Sequence, residues 1–169
     1  NVPGDFIECG VWKGGNTMMA ALTLMKLKNT DRKIYLYDTF EGMSAPTEKD
    51  ISYKDEDAKI EWSHSQKDSY NEWCYSSLDE VKQNLYSTGY PKEKLIFVKG
   101  KVEDSIPGTM PGEIAILRLD TDWFESTYHE LIHLYPLLSK NGFLIVDDYG
   151  YWKGAREAGI IRGAYHFFL

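Results

Sequence analysis

The sequence predicts an α/β protein with a Rossmann-like, doubly wound and mostly parallel sheet. Short apolar runs typical of buried strands alternate along the chain with segments whose apolar residues recur at helical spacing. Strands that are joined by helices lie parallel, with helices on both faces of the sheet. The chain has 169 residues, 43% of them hydrophobic, and we expect residues 1–169 to form a single domain.

Each expected element has its own signal. The helix predicted at residues 17–28 places Met18, Ala21, Leu22 and Met25 at helical spacing. The last helix is expected to stop at the polar, glycine-containing run 139–142. In chain order we expect a strand at 6–9, a helix at 17–28, a strand at 33–38, a helix at 78–87, strands at 95–98 and 113–119, a helix at 128–138 and a strand at 143–146.

Residues 43–76 break this alternation. They are rich in Lys, Asp, Glu and Ser, yet they carry five Trp and Tyr residues, which is too aromatic for a simple disordered linker. An inserted lid over a binding site explains both properties, because such loops order on a ligand and present aromatic contacts. The alternative is a surface excursion whose aromatic side chains pack on the edge of the sheet.

Composition narrows the possible partners. A formal net charge of −7 argues against nucleic acid, whose binding needs clustered Lys and Arg, so small molecules are the expected partners. Cys9 and Cys74 are far apart and lack zinc-ligand spacing, which favours a reducing cytoplasm over a disulfide framework. No apolar stretch approaches the roughly 20 residues that span a bilayer, and the first residues lack a signal peptide, so no membrane partner is expected.

Three aspartates stand at the expected carboxyl ends of two buried strands. Asp120 follows the strand at 113–119, and Asp147 and Asp148 follow the strand at 143–146. The carboxyl ends of parallel strands lie on one rim of a sheet, where ligands of such folds bind. Carboxylates gathered there are hard oxygen ligands, so the sequence predicts a site for a divalent cation.

A glycine-rich turn follows the first strand. Glycines at positions 10, 14 and 15 let the backbone approach a ligand closely, and the helix that follows offers free amide donors. The turn lacks both the Gly-x-Gly-x-x-Gly spacing of dinucleotide sites and a Gly-Lys-Ser/Thr phosphate loop. Glu8, which lies inside this motif, suits an amino group or a water-bridged methionine moiety.

Asp38 ends the second strand, about 30 residues after the glycine turn. An acid at this position can accept both hydroxyls of a ribose, as acids do in nucleotide-binding sheets, so it favours a nucleoside ligand. The alternative for Asp38 is a helix cap or a turn former.

These motifs together resemble the macrocin O-methyltransferase (TylF/MycF) family over nearly the whole chain. The resemblance is carried by Glu8-x-Gly10-x-x-x-Gly14-Gly15, by residues 38–42 (Asp-Thr-Phe-Glu-Gly), by residues 117–127, by residues 134–138 and by residues 142–150. It implies a class I S-adenosylmethionine-dependent methyltransferase with a divalent cation, usually Mg²⁺. The implied acceptor is a hydroxyl, in characterised members that of a sugar on a macrolide-type natural product.

The resemblance also implies roles for individual residues. Glu8, Gly10, Gly14 and the adjoining Gly15 would lie against the methionine part and the nucleoside of the cofactor, and Asp38 would hold the ribose. Val102 and Glu103 belong to the block that resembles the adenine-side loop, although Val102 replaces an aromatic residue of the family. Asp120, Asp147 and Asp148 would bind the metal. Asp120 is the expected base that takes the proton of the hydroxyl, with Asp122 as the alternative.

Several alternatives stay open at this stage. A binding module for the same cofactor without catalysis would keep the glycine turn, and an NAD-linked oxidoreductase would use a similar sheet. A pair of histidines one helical turn apart, His129 and His133, indicates a helix face more than a metal site. The resemblance makes a homo-oligomer possible. It also weakens at residues 159–163, where the carboxyl end departs from the family pattern.

Overall fold

A five-stranded parallel sheet forms the centre of the protein. The computed structural model describes residues 2–161, and it describes side chains up to residue 158. The strands are β1 (Asp5–Cys9), β2 (Ile34–Asp38), β3 (Leu95–Lys99), β4 (Ile114–Leu119) and β5 (Leu138–Val146). Their order is β3-β2-β1-β4-β5, and every pair of neighbours is parallel, which confirms the predicted fold class.

Six helices accompany the sheet in the described part of the chain. Two of them begin at side-chain caps: Ser77 accepts a hydrogen bond from the backbone N–H of Glu80, and Asp57 accepts one from Lys59. The helices are α1 (Gly15–Lys26), α2 (Ala58–Ser65), α3 (Leu78–Ser87), α4 (Val102–Ser105), α5 (Phe124–His133) and α6 (Lys153–Ile161). None of the described helices is long and apolar enough to cross a membrane.

The core has two halves, one on each face of the sheet. Because strand side chains alternate, Ile7 and Cys9 of β1 belong to the half that also contains α4 and α5, whereas Phe6 belongs to the half that contains α1 and α3. Glu8 points to the same side as Phe6, towards α1. The strands are buried on both faces, as a doubly wound fold requires.

The last predicted helix was placed wrongly. It was expected at 128–138, but α5 ends at His133, a 3₁₀ turn covers Tyr135–Leu137, and β5 already begins at Leu138. Pro136 explains the early end, since proline has no N–H and disfavours helical conformation in the residue before it.

Residues 139–142 were expected to separate a helix from a strand. In the structure they lie inside β5. Ile114 pairs with Leu138, and Ile116 pairs with Phe143, so the run between them bulges out of the ladder. Helix α6, within residues 153–161, was not predicted at all, and residues 162 and 163 of the departing stretch lie outside the described residues.

Residues 43–76 fold onto the body of the protein and contain helix α2. Near the start of this segment, Tyr53 donates a backbone hydrogen bond to Tyr151 (2.8 Å), and the backbone N–H of Lys153 donates to Ile51 (3.0 Å). Asp50 is fully buried, and its carboxylate accepts from the backbone N–H of Phe124 at the start of α5 (2.8 Å). The segment is therefore joined to the loops that follow β4 and β5.

Candidate active site

The strand order reverses at β1. Strands β2 and β3 lie on one side of β1, and β4 and β5 lie on the other. The loops that follow β1 and β4 therefore diverge, and a crevice opens between them. The two loops touch at their start, where Asp120 donates a backbone hydrogen bond to the Cys9 carbonyl (2.9 Å). A Cβ on Gly10 would lie 1.9 Å from the Asp120 carbonyl oxygen, so only glycine allows this approach.

A cavity of about 280 Å³ opens above this crossing. Six of the predicted site residues line it: Gly10, Asp38, Val102, Glu103, Asp120 and Asp148. Met43, Ser44 and Cys74 of the segment 43–76 also line it, as does Asp122. Four other predicted residues are not on its wall: Glu8, Gly14, Gly15 and Asp147.

Asp38 joins the second strand to the glycine turn. Its Oδ2 accepts hydrogen bonds from the backbone N–H groups of Val11 (2.7 Å) and Trp12 (3.0 Å), and its Oδ1 accepts from Phe40 (2.7 Å). The carboxylate thus has the turn-forming role that was the alternative, and it also faces the cavity. A ribose contact stays a prediction, for which carboxylate oxygens keep further lone pairs.

Glu8 lies beneath the cavity. Its side chain is 1% exposed, it accepts from the Thr17 hydroxyl of α1, and Arg118 Nη1 lies 2.9 Å from its Oε1. Burial raises the pKa of Glu8, and Thr17 and Arg118 oppose that rise. In this arrangement Glu8 supports the turn from below, and a direct cofactor contact stays a prediction.

Gly14 and Gly15 differ in what surrounds them. Gly14 has φ +84°, and a Cβ there would meet the Leu85 side chain of α3 at 2.6 Å. A Cβ on Gly15 would have nothing within 4 Å. The positive φ therefore favours glycine at position 14, and the missing side chain lets Leu85 pack close, whereas the structure gives no steric reason for Gly15.

The three predicted metal ligands come together. Asp120, Asp147 and Asp148 each offer an oxygen within 4.8 Å of the others, the only such group of acids, His or Cys that the described residues contain. Arg118 lies beside them, with Nη1 at 2.7 Å from Asp120 Oδ2 and Nη2 at 3.0 Å from Asp147 Oδ1. Burial raises the pKa of Asp120 to about 7 against the effect of Arg118.

Asp148 is the least satisfied member of the group. Its Oδ2 is buried and has no hydrogen-bond donor. The groups within reach of its carboxyl are those of Asp120 and Asp122, which as carboxylates only accept. Burial and the neighbouring Asp122 raise the pKa of Asp148 to about 7. Such an oxygen needs a proton or a cation, and an all-oxygen donor set fits a hard divalent cation.

The adenine-side residues lie at the start of α4. Val102 is buried and Glu103 accepts from the Ser126 hydroxyl of α5 (2.8 Å), so α4 is tied to α5 at the wall of the cavity. On α5 itself, the rings of His129 and His133 are 4.4 Å apart, and His129 Nε2 lies 3.0 Å from the Ile106 carbonyl oxygen. Trp123 and Phe124 are buried below the acidic rim, so they pack under the cavity and do not form its wall.

The sequence reasoning missed three residues of the site. Arg118 links Glu8, Asp120 and Asp147, Trp152 donates its indole N–H to Asp122 (2.6 Å), and Asp50 caps α5. Arg118 carried a signal, because a basic residue inside an otherwise apolar strand needs acidic partners when buried. Trp152 and Asp50 carried no local signal, since their partners lie 30 and 74 residues away.

The fold narrows the class of protein. A parallel sheet in the order β3-β2-β1-β4-β5, with a glycine turn after the first strand and an acid at the end of the second, occurs in dinucleotide-binding proteins and in class I methyltransferases. The glycine turn lacks the Gly-x-Gly-x-x-Gly spacing of dinucleotide sites, which favours the methyltransferases. The profile of the macrocin-O-methyltransferase (TylF) family matches residues 1–161. The chain belongs to this family, as its motifs predicted.

The curated relatives and the solved structures that resemble this chain are also O-methyltransferases. The chain is 34% identical over 148 residues to the 8-demethyl-8-(2,3-dimethoxy-alpha-L-rhamnosyl)-tetracenomycin-C 4'-O-methyltransferase of Streptomyces olivaceus, covering 88% of this chain and 54% of the relative. It is also 34% identical over 148 residues to the mycinamicin III 3''-O-methyltransferase of Micromonospora griseorubida, which covers 88% of this chain and 56% of the relative. The chain thus spans about half the length of the curated relatives it matches.

Among solved structures, that of the O-methyltransferase NovP superposes with a TM-score of 0.82 at 30% identity, covering 99% of this chain and 66% of that one. The calicheamicin methyltransferase CalS11 superposes with a TM-score of 0.67 at 21% identity, covering 94% and 63%, and supports the fold alone.

Proposed function

We propose that this chain is an S-adenosylmethionine-dependent, divalent-metal-dependent O-methyltransferase that acts on a hydroxyl of a sugar or of a glycosylated natural product. One observation carries the proposal: Asp120, Asp147 and Asp148 converge within 4.8 Å at the rim of a cavity that Gly10 and Asp38 also border. Family membership supports the reaction, and the names of the relatives support a glycosylated acceptor.

The glycine turn and Asp38 form the proposed cofactor side of the cavity. Gly10, Asp38, Val102 and Glu103 line this side, where S-adenosylmethionine would supply an electrophilic methyl group on sulfur. Asp38 fixes the turn through its backbone hydrogen bonds to Val11 and Trp12, so this part of the cavity wall is held by the protein itself. Pre-organisation matters because methyl transfer requires oxygen, carbon and sulfur nearly in line.

The three aspartates form the proposed acceptor side. Asp120, Asp147 and Asp148 would hold a divalent cation, usually Mg²⁺ in this family, which lowers the pKa of a hydroxyl bound to it. The donor-free Oδ2 of Asp148 and the raised pKa of Asp120 fit such an ion. In the described residues Arg118 is the one basic side chain that forms a salt bridge with these carboxylates, so it limits their mutual repulsion.

Asp120 is the proposed base. It lies on the cavity wall directly after β4, on the acidic side where the acceptor hydroxyl would bind. Asp120 would accept the proton of the acceptor hydroxyl at its carboxylate while Arg118 holds the side chain in place.

Residues 43–76 are the proposed lid. Met43, Ser44 and Cys74 reach the cavity wall from this segment, next to the acids Asp120 and Asp122. A lid at this position excludes water from the reacting atoms and contacts the acceptor. The possible homo-oligomer stays a prediction.

A methyl-transfer assay on the whole chain tests the proposal. The protein is incubated with S-adenosylmethionine and a panel of glycosylated acceptors, among them a rhamnosyl tetracenomycin and a mycinamicin, with Mg²⁺ or with a chelator. We expect S-adenosylhomocysteine and a product that has gained one methyl group, formed with Mg²⁺ and lost with the chelator. Equal yields with Mg²⁺ and with the chelator would remove the metal from the mechanism.

Calorimetry separates the two rival functions. S-adenosylhomocysteine should bind, and NAD⁺ should not. Binding of S-adenosylhomocysteine with no transfer to any acceptor would support the non-catalytic module, and binding of NAD⁺ alone would support the oxidoreductase.

A further inference from the structure

Glu130 of helix α5 is a fully buried acid that the proposed chemistry does not use. The residue is 0% exposed, and its Oε2 has no hydrogen-bond partner. It forms no salt bridge within the described residues 2–161. Burial raises the pKa of Glu130 well above its ordinary value, so the side chain is a neutral acid near pH 7. A buried polar group with an unpartnered oxygen lowers stability, so its presence calls for another role.

The other carboxyl oxygen of Glu130 reaches the loop that follows β4. Glu130 Oε1 accepts a hydrogen bond from the Thr121 hydroxyl at 3.1 Å. Thr121 stands between Asp120 and Asp122 in this loop, and all three residues line the cavity. The hydrogen bond therefore joins the buried side of α5 to the loop that carries Asp120, one of the three converging carboxylates.

This loop has a conformation that its surroundings must hold. Asp122 has φ +64°, in the left-handed region that residues other than glycine rarely adopt, and such a conformation persists only where the structure around it is fixed. On one side the backbone N–H of Asp120 donates to the Cys9 carbonyl at the end of β1 (2.9 Å). On the other side the Thr121 hydroxyl binds Glu130. The loop is thus fixed to β1 before the turn and to α5 within it.

We propose that Glu130 is a positioning residue that fixes the loop after β4 through the Thr121 hydroxyl, so that Asp120 presents its carboxylate to the cation. The inference rests on the proposed function, because it requires the metal. Groups that support a metal ligand from behind typically affect metal affinity by about 10–100-fold. A residue with a merely structural role would affect stability instead, and the two roles therefore predict different variants.

Glu130→Met separates stability from metal binding. Methionine fills a similar volume without a polar group, and the Thr121 hydroxyl can turn to water in the cavity, so the denaturation midpoint should be no lower than that of the wild type. Mg²⁺ affinity, measured by calorimetry on the whole chain, should nevertheless fall about tenfold because the loop has lost its tie to α5. S-adenosylhomocysteine affinity is the check on folding and should stay close to wild type.

Two further variants test the hydrogen bond itself. Glu130→Gln should bind Mg²⁺ nearly as well as the wild type, because its amide oxygen still accepts from Thr121 and its charge is that of the protonated acid. Thr121→Val removes the donor and should match Glu130→Met, and the double variant should be no weaker than either single variant. Thr88→Val is the matched control, since its hydroxyl donates to the Leu85 carbonyl at the end of α3, and it should leave Mg²⁺ affinity unchanged.

Three results would overturn the inference. The first is wild-type Mg²⁺ affinity in both Glu130→Met and Thr121→Val, and the second is an additive loss in the double variant. The third is a loss in Glu130→Gln as large as that in Glu130→Met, because the acid would then act through its charge.

If Glu130→Met fails to fold, the comparison of Thr121→Val with Thr121→Ser, which keeps the hydroxyl, decides alone. Absence of Mg²⁺ binding by the wild type would overturn the proposed metal dependence and this inference with it, whereas normal wild-type binding with unaffected variants overturns the inference only.

Discussion

The two sides of the cavity differ in how completely their polar groups are satisfied. On the glycine-turn side, Asp38 accepts three backbone hydrogen bonds from Val11, Trp12 and Phe40. On the acidic side, Asp148 has a buried oxygen with no donor, and the pKa of Asp120 and that of Asp148 are raised by burial to about 7. Asp38 on the first side has its partners within the protein, and Asp148 on the second side does not.

This difference follows from the kind of group that each side uses. The glycine turn supplies backbone N–H groups, which a short loop can direct at one carboxylate. The acidic side gathers carboxylates, which only accept, and Arg118 is the one cation that forms salt bridges with them in the described residues. A site that remains unsatisfied in this way is adapted to a cation.

Removal of the proposed base should have the largest effect. Asp120→Asn keeps the shape but loses the proton acceptor and a charged ligand, so kcat should fall at least about 10³-fold, within the range of general-base losses. S-adenosylhomocysteine affinity, measured by calorimetry, should stay close to wild type because the glycine-turn side is intact. Asp79→Asn, an exposed acid on α3, is the control, and near-normal turnover in Asp120→Asn would exclude Asp120 as the base.

Removal of Arg118, which forms salt bridges with Glu8, Asp120 and Asp147, should destabilise the fold. Arg118→Met leaves Glu8 buried without its partner, and loss of one member of a buried pair costs about 3–5 kcal/mol of unfolding free energy. Chemical denaturation measures the loss. Arg156→Met, at an exposed position of α6, should change stability by less than about 0.5 kcal/mol. Equal losses in the two variants would show that Arg118 does not support the site.

The close approach of the loop after β1 to the loop after β4 should depend on Gly10. Gly10→Ala puts a Cβ 1.9 Å from the Asp120 carbonyl oxygen and strains a residue at φ +79°, so we expect a loss of about 3 kcal/mol by thermal or chemical denaturation. Gly15→Ala meets nothing within 4 Å and should change stability by no more than about 1 kcal/mol. A Gly10→Ala protein as stable as Gly15→Ala would mean that the loops separate freely.

Mg²⁺ should stabilise the protein by binding to the acidic side. A ligand at a hundred times its dissociation constant raises the free energy of unfolding by about 2.7 kcal/mol. The melting temperature should therefore rise when Mg²⁺ is added and fall back to its starting value when a chelator removes it. Asp148→Asn should reduce that gain, whereas S-adenosylhomocysteine should stabilise the protein with or without the metal. Identical melting curves in Mg²⁺ and chelator would contradict the metal site.

Residues whose surroundings are local in sequence were predicted well. The strands that carry Glu8, Asp38 and Asp120 were recognised from short apolar runs, and parallel strands bring their carboxyl ends to one rim. The convergence of Asp120, Asp147 and Asp148 follows from the same rule. The pairing of β4 with β5, which the structure shows, is what places these acids next to one another on that rim.

Residues whose partners are distant in sequence were missed. Pro136 and the bulge at 139–142 changed the border between α5 and β5, because a helix pattern and a bulged strand look alike over so short a run. The anchoring of segment 43–76 through Asp50, and of Asp122 through Trp152, depends on side chains that meet only after folding.

The sequence by itself therefore determined the sheet, the rim on which the acids lie and the family, because strand periodicity and glycine positions are local properties of the chain. Only the tertiary structure decided how the charges balance: Arg118 joins Glu8 to two of the aspartates, and Asp148 is left without a donor. The reason is physical. Burial and electrostatic interaction depend on distances between groups that folding brings together, and no local pattern contains them.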